Sequence, residues 1–168
     1  LDQLEKLEVR LTFYDDVLYP IAQMKNLEEL TFAQVHAWHM KMEDFALLQE
    51  LPKLKKLTID KVEFDKPVDT LFAVDELEEL YITSCSFEFA PTQINVGDHL
   101  KVLDFSGTRF GDNYNGTLED DQVVLRMFCA ATTLEKLKLN YYDMTDLSVL
   151  NNLANLKEVS LYCCELTE

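Results

Sequence analysis

The sequence is poor in the residues on which most catalytic and cofactor sites depend. Its 168 residues include only four glycines and three histidines, and no glycine-rich loop of the kind that cradles phosphate groups is present. No serine or cysteine lies in a recognisable nucleophile motif. No apolar run approaches the roughly eighteen residues that a membrane-spanning helix needs. We therefore expect no enzymatic activity, no cofactor and no insertion into a membrane.

Basic residues are also scarce relative to acidic ones. The chain has 15 lysines and arginines against 31 aspartates and glutamates, which gives a formal net charge of −16. Such a chain is repelled by nucleic acid backbones and by anionic membranes, and its field steers basic partners toward it. An excess of acidic residues also keeps a protein soluble. The charge therefore excludes nucleic acid as an expected partner and leaves open whether a basic protein is one.

The four cysteines, Cys85, Cys129, Cys163 and Cys164, lack the paired spacing of metal ligands. With no secretory leader in view, reduced thiols in an intracellular protein of the cytoplasm or nucleus are the simpler interpretation. One feature favours a secreted protein instead, because Asn115-Gly116-Thr117 is a glycosylation acceptor pattern. The intracellular compartment is thus the expectation and secretion is the alternative.

One short segment has histidines at a spacing that metal sites use. His36, His39 and Glu43 would share one face if this segment formed a helix. The segment offers no further strong ligand, and a surface loop with Trp38 packed against the protein accounts for the same residues. We therefore predict that no metal is bound.

A short apolar pattern recurs along the whole chain. The pattern Leu-x-x-Leu-x-apolar occurs seven times (with Val159 in place of the second leucine in the last copy), at separations of 23, 27, 23, 23, 34 and 22 residues. The residue after the first leucine is always charged, so buried and exposed positions alternate as in a strand with one buried face. The seven copies begin at Leu4, Leu27, Leu54, Leu77, Leu100, Leu134 and Leu156.

The repeat resembles that of the leucine-rich repeat superfamily, in its irregular, cysteine-type or short-repeat forms. In that family a cysteine or asparagine eight residues after the first leucine satisfies backbone groups in the turn. Cys85-Ser86-Phe87 and Cys164-Glu165-Leu166 match the cysteine form. Val35, Val62 and Tyr142 depart from it, so no continuous asparagine ladder can exist.

The resemblance and the repeat length imply an α/β fold, a leucine-rich repeat solenoid with a curved parallel sheet of about seven strands and with short helices or loops on its convex side. We expect residues 1–168 to form one such domain of a longer protein, because no polar end units are visible. Helical segments are predicted at Met42–Leu51, Val68–Val74 and Asp146–Leu153.

Two repeats are longer than the others. The second gains about four residues near Val35–Met42, and the fifth gains about eleven, beginning near Gly107 and including the loop Gly111–Gly116. Thr117 then looks like the cap of a helix that runs to about Ala131. The buried face of this helix is predicted to carry three residues, Val124, Leu125 and Phe128. Such insertions often serve binding, and the alternative is neutral drift in a tolerant loop.

The third, fifth and seventh positions of each repeat are predicted to face out of the concave sheet. Charges at the third position alternate in sign down the stack, which predicts a structural ladder of opposite charges. The fifth and seventh positions, with the adjacent Tyr141, form the candidate binding surface, because exposed tyrosines give large contact area at low entropic cost. The alternative is that the tyrosines only cover their neighbours. The candidate residues are Tyr81, Thr83, Asp104, Lys138, Asn140, Tyr141 and Tyr162.

Two functions are compatible with these features. The turn around Cys85 resembles the substrate-receptor arrays of F-box ubiquitin ligases, which would make the chain an intracellular scaffold that recognises another protein. The repeats are also similar to those of intracellular immune receptors, and the last, short repeat to phosphatase-regulatory and bacterial adhesion arrays. The alternative function is an extracellular leucine-rich repeat receptor or immune-recognition ectodomain.

Overall fold

The computed structural model describes residues 2–10, 17–33, 42–95, 97–111, 118–142 and 146–163, without the side chains of Met42, Glu43 and Leu118 to Asp120. Seven strands form one parallel sheet in strict chain order. Each strand begins two residues after the first leucine of its repeat, as the sequence pattern predicts. The strands are β1 (Lys6–Arg10), β2 (Glu29–Ala33), β3 (Lys56–Asp60), β5 (Glu79–Thr83), β7 (Val102–Asp104), β9 (Lys136–Lys138) and β10 (Glu158–Ser160).

Register aligns the repeats residue by residue. Leu57 pairs with Leu30 on one side and with Leu80 on the other, so each framework position becomes a column that runs across the sheet. The leucines of these inner repeats are fully buried. One repeat alone could not bury its own apolar face, whereas a neighbour on each side closes it.

The outermost repeats are less well covered. Leu7 and Val9 in β1 are only partly buried, and Val159 in β10 keeps 40% of its surface exposed. Each of these strands has a described neighbour on one side alone. Except for Val159, the apolar framework positions therefore belong to one core, but they are fully buried only within the stack.

A second, smaller parallel sheet follows the first. It contains β4 (Glu63–Phe64), β6 (Ser86–Phe87) and β8 (Arg109–Phe110). Phe87 stacks between Phe64 and Phe110, with ring centroids 4.5 and 4.7 Å away. The sequence pattern did not predict these strands. Aromatic pairs contribute about 0.5–1.5 kcal/mol each beyond their buried area, so the stack ties three successive repeats together.

The convex side carries short helices where the sequence predicted them, but they are 3₁₀ helices. They span Met42–Glu50, Asp69–Phe72 and Leu147–Asn152. Asp146 caps the last of these by accepting a hydrogen bond from the Ser148 N–H over 2.8 Å. The 3₁₀ form is typical of short connections, because it closes a turn with only three residues.

Helix α1 (Leu18–Ala22) was not predicted. It is five residues long and contains Pro20, so its sequence has neither the length nor the periodicity of a helix that can be recognised. It buries Leu18, Ile21 and Ala22.

Helix α2 (Leu118–Phe128) lies in the longest repeat, and it buries Val124, Leu125 and Phe128 completely, which confirms the predicted face. The Asp121 carboxylate accepts a hydrogen bond from the Phe110 N–H over 2.9 Å. These contacts make α2 a packed return segment of the solenoid. The predicted cap Thr117 and most of the Gly111–Gly116 loop lie outside the described residues, as do Val35–Lys41 of the other long repeat.

No helix in the described segments is long and apolar enough to cross a membrane. Nor does any group of three or more histidine, cysteine, aspartate or glutamate side chains in those segments have a metal-binding arrangement. His36 and His39, and the side chain of Glu43, lie outside the described residues.

Candidate functional site

Paired charges run down the concave face. At the third position of the repeats, Lys6 pairs with Glu29, and the Lys136 ammonium lies 2.9 Å from the Glu158 carboxylate. Lys56 and Glu79 are 3.5 Å apart in the middle of the sheet. These contacts confirm the predicted ladder.

A second ladder occupies the charged position just before each strand. Glu78 accepts from Lys101 over 2.7 Å and lies 3.9 Å from Lys55, and Glu135 accepts from Lys157 over 2.8 Å. The hydrogen bond from Lys101 lowers the pKa of Glu78, and that from Lys157 lowers the pKa of Glu135. In both columns, lysines therefore pair with glutamates of neighbouring repeats. Neither column presents a surface patch of a single charge sign.

Tyr81 lies at the centre of the face and is largely engaged within the chain. Its hydroxyl donates to the Glu79 carboxylate over 3.0 Å, and the Lys56 ammonium sits 5.0 Å from its ring centroid. Burial, with the hydrogen bond to Glu79, raises the pKa of Tyr81 to about 12. At the next outward-facing position of the same strand, the Thr83 hydroxyl donates to the Asp60 carboxylate over 2.7 Å.

Asp104 is the candidate residue with the least accessible surface. It is 8% exposed, and its carboxylate accepts a hydrogen bond from the Ser106 N–H over 2.9 Å. In register it lies between Tyr81 and Lys138. Asp104 therefore forms part of the base of the concave face and presents little of its charge to solvent.

The last two repeats carry the most exposed candidates. The rings of Tyr141 and Tyr162 meet edge to face, with centroids 5.6 Å apart and planes at 83°. Tyr141 is 54% exposed and Tyr162 is 63% exposed. The Asn140 side-chain oxygen accepts from the Ser160 hydroxyl over 2.7 Å and from the Tyr162 N–H over 2.8 Å. The pair, called the tyrosine pair below, is thus exposed on a turn that Asn140 holds in place.

A column of left-handed residues follows the strands, and the sequence analysis missed it. Each residue in the column comes seven after the first leucine of its repeat. The N–H groups of four of them continue the parallel ladder: Lys61, Ser84, Gly107 and Tyr141. The Lys61 N–H donates to the Thr83 carbonyl over 3.0 Å, and the Tyr141 N–H donates to the Tyr162 carbonyl over 2.8 Å. In the sequence, only Gly107 indicated this column of positive φ, because glycine alone adopts the left-handed conformation freely. The φ values are 57° at Lys61, 54° at Ser84, 69° at Gly107, 59° at Tyr141 and 55° at Cys163.

The cysteine position of the repeat is buried and engaged with the backbone. The Cys85 thiol lies 3.3 Å from the Thr83 carbonyl oxygen and 3.5 Å from that of Ile59. In the next repeat the Thr108 hydroxyl donates to the Ile82 carbonyl and accepts from the Cys85 N–H. Burial raises the pKa of the Cys85 thiol to about 12. Cys85 therefore contacts backbone carbonyl groups in the turn, as the family resemblance implied, and its raised pKa makes it a poor nucleophile.

A groove away from the concave face has a volume of about 510 Å³. Asp75, Asp98 and His99 line one part of it, and Met127 and Ala131, near the end of α2, line another. All three polar side chains are exposed. The groove shares no residue with the candidate binding surface.

The seven registered strands and their return segments define a leucine-rich repeat solenoid. No protein-family model matches the chain, and no curated protein matches it. Among solved structures, the chain is similar to an internalin from Listeria monocytogenes str. 4b F2365, at 20% identity and with a TM-score of 0.48. The match covers 90% of this chain and 46% of the internalin chain, so the chain spans about half the length of that structure.

Proposed function

We propose that the chain is a protein-recognition module that binds its partner on the concave face of its last four repeats. The observation that carries the proposal is the exposure of the tyrosine pair. Tyrosine supplies a large, rigid contact area with few rotatable bonds, and for that reason it is enriched at interface hot spots. Tyr162 lies at the outward-facing seventh position of its repeat, Tyr141 lies one position further along in the preceding repeat, and both residues are more than half exposed.

The charge ladders support this proposal by leaving the tyrosine pair on an electrostatically quiet surface. Lysine and glutamate of the third column neutralise each other, and Thr83 and Asp60 form a hydrogen bond of their own. Charged groups that already have partners add little affinity for a third group. What remains for a partner is an aromatic contact surrounded by polar groups, and this is the usual composition of a protein interface.

The test compares two variants that lose exposed tyrosine surface in different places. Tyr141→Ala with Tyr162→Ala removes the pair. Tyr19→Ala, on α1, removes a side chain that is 63% exposed, as Tyr162 is, but lies outside the concave face. Partners are captured from source-cell lysate by crosslinking, identified by mass spectrometry and rebound as purified proteins.

We expect the double variant to lose the purified partner while the Tyr19 variant keeps it, with both variants retaining the circular dichroism spectrum of the parent. A partner that binds all three chains equally would show that the concave face is the wrong surface.

A finer form of the proposal is that the array receives substrates for an F-box ubiquitin ligase inside the cell. Its support is the cysteine turn at Cys85, whose thiol lies within hydrogen-bonding distance of the backbone. Co-purification of the full-length protein with ligase subunits tests it. The alternative, an extracellular receptor ectodomain, has its support in the acceptor pattern at Asn115 and would show as a glycan on that residue.

A further inference from the structure

We infer that the groove between Asp75 and Met127 is a docking site for an extended basic segment of another protein. The inference goes beyond the proposed function, because this groove shares no residue with the candidate binding surface of the concave face. Three features of the groove carry it: the length, the apolar lining, and carboxylates that no described side chain neutralises.

The groove runs along the stack of repeats. A second hollow of about 380 Å³ adjoins it, since Asp75, Glu76 and Asn95 line both. The two hollows, together called the return groove below, extend from Pro52 to Ala131 and so cross four successive return segments. Neighbouring strands lie about 4.8 Å apart, so three such steps measure roughly 14 Å. An extended chain of about four residues has that length.

The return groove has an apolar part. Ala73, Ile94, Met127 and Ala131 line it and are each only partly buried. All four come from return segments, outside the strands of the sheet. Water therefore reaches apolar surface here, and an apolar side chain of a partner that covered it would bind favourably.

The return groove also has an acidic rim. Asp75, Glu76 and Asp98 lie in the turns before β5 and β7, and all three are exposed. Within the described residues, none of these three carboxylates takes part in an ion pair. Glu78 and Glu79, only a few residues further along, each pair with a lysine. The rim therefore keeps its charge available to a partner.

No lysine or arginine is among the described residues that line the return groove. Lys53 holds the position of Glu76 in the preceding repeat, but its ammonium donates over 2.6 Å to Asn26, which lies one repeat further from Glu76. His99 holds that position in the next repeat and counts as neutral at pH 7. The rim is thus negative, and the net charge of −16 raises the concentration of cations around the whole chain.

Gly97 fixes the middle of the return groove. Its φ is 68°, and an added Cβ would lie 2.2 Å from the Asp75 carbonyl oxygen. Only glycine allows the two turns to approach so closely. The main chain that carries the rim is therefore packed before a partner arrives, which lowers the entropic cost of binding.

The occupant that fits is a segment in which basic and apolar residues alternate. Successive side chains of an extended chain point in opposite directions. One set can therefore contact the carboxylates of the turns while the other covers the apolar lining. A ligand that carries phosphate groups would be repelled by the same rim.

The test uses three fluorescent peptides of about seven residues, long enough to cross the return groove in extended form. Lysine alternates with valine in the first, lysine with serine in the second, and glutamate with valine in the third. Fluorescence anisotropy measures their binding to the full chain at low ionic strength, where exposed charges are screened least.

Two triple variants separate the rim from the overall charge of the chain. The rim variant carries Asp75→Asn, Glu76→Gln and Asp98→Asn. The control variant loses three exposed carboxylates outside the return groove, through Asp2→Asn, Glu5→Gln and Glu63→Gln.

A further variant obstructs the return groove without changing the charge. Ala130→Phe places a ring at an exposed position of its lining. Circular dichroism and urea unfolding establish that each variant keeps the fold of the parent.

We expect the lysine–valine peptide to bind the parent chain, and the rim variant to bind it at least about threefold more weakly, because three exposed ion pairs are lost. The control variant should lose clearly less affinity, and Ala130→Phe should bind more weakly than the parent. The lysine–serine peptide should bind less tightly than the lysine–valine peptide, and the glutamate–valine peptide should not bind.

Equal losses in the rim and control variants would overturn the inference and would leave only diffuse attraction between a basic peptide and an acidic chain. Undiminished binding by Ala130→Phe, equal binding of the two lysine peptides, or no binding of either would overturn it as well. The double variant Tyr141→Ala, Tyr162→Ala should bind the lysine–valine peptide as the parent does. The return groove and the concave face therefore succeed or fail separately.

Discussion

The Tyr142 hydroxyl donates a hydrogen bond to the main-chain carbonyl of Asp121 over 2.6 Å. Tyr142 occupies the position where the leucine-rich repeat family usually has asparagine or cysteine, and Asp121 lies in the first turn of α2. The bond therefore fastens the longest repeat to its successor through a side chain that departs from the family pattern. Tyr142 is fully buried, whereas its neighbour Tyr141 is 54% exposed.

Removal of the Tyr142 hydroxyl gives a direct measure of this bond. Tyr142→Phe should lower the free energy of unfolding by about 0.5–1.5 kcal/mol, the usual net contribution of one buried hydrogen bond. Tyr141→Phe is the control, and it should change stability by less than about 0.5 kcal/mol because its hydroxyl is at the surface. Urea unfolding followed by circular dichroism measures both. Equal effects of the two substitutions would mean that the bond contributes nothing.

The phenylalanine stack predicts a large effect at its central member. Phe87 contacts Phe64 and Phe110 on its two sides and is 1% exposed. Phe87→Ala should lower the free energy of unfolding by about 3–5 kcal/mol, because it leaves a cavity between two rings. Phe89→Ala, two residues away, removes a ring that is 45% exposed and should have a small effect. Similar midpoints of urea unfolding for the two variants would contradict this account.

The left-handed column predicts stability changes of opposite sign in neighbouring repeats. Ser84→Gly should raise the free energy of unfolding by up to about 1 kcal/mol, because glycine adopts positive φ without strain. Gly107→Ala should lower it by about 1 kcal/mol, although an added Cβ would still lie 3.4 Å from the nearest side-chain atom, the Ser84 hydroxyl oxygen. Ser86→Gly, within β6, is the control and should destabilise. Thermal unfolding of the three variants checks the signs, and a destabilised Ser84→Gly chain would refute the strain argument.

Buried thiols predict a loss of stability at alkaline pH. Burial raises the pKa of Cys85 to about 12 and that of Cys129 to about 11, from an ordinary value of 9.0. Above pH 9 the unfolded chain therefore loses these protons while the folded chain keeps them. Stability is fully present below pH 9 and falls as the pH rises toward 11 and 12.

The free energy of unfolding should thus decrease between pH 9 and pH 11 in urea titrations. Cys129→Ala should show a shallower decrease than the parent, because one of the two thiols is gone. An identical slope in the parent and the variant would exclude Cys129 as a source of the effect.

Local patterns explain which parts of this fold could be predicted. The leucine columns and the burial of Val124, Leu125 and Phe128 follow from the spacing of apolar residues, and a spacing is visible in the sequence itself. The opposite charges of Lys136 and Glu158 likewise follow from equal positions in successive repeats. These features depend on which residues occupy a repeat and not on how the backbone turns.

Features set by backbone conformation or by tertiary packing could not be predicted. Residues as different as Lys61, Ser84 and Tyr141 adopt the same positive φ, because the continued ladder of hydrogen bonds imposes it regardless of side chain. The candidate site shows the same limit. Sequence position placed Asp104 on the concave face, but its near-complete burial depends on the bulk of neighbours in two other repeats.

The paired charges of the concave face have a consequence for the kinetics of binding. The outward positions of the seven strands and their turns hold five basic and six acidic residues, so the face is close to neutral within a chain of net charge −16. Added salt screens the long-range field and should slow the encounter with a basic partner. It should change the lifetime of the complex far less, because the contacts within the face carry almost no net charge. Ionic strength would then control the association rate of this solenoid with its partner and would have little effect on the dissociation rate.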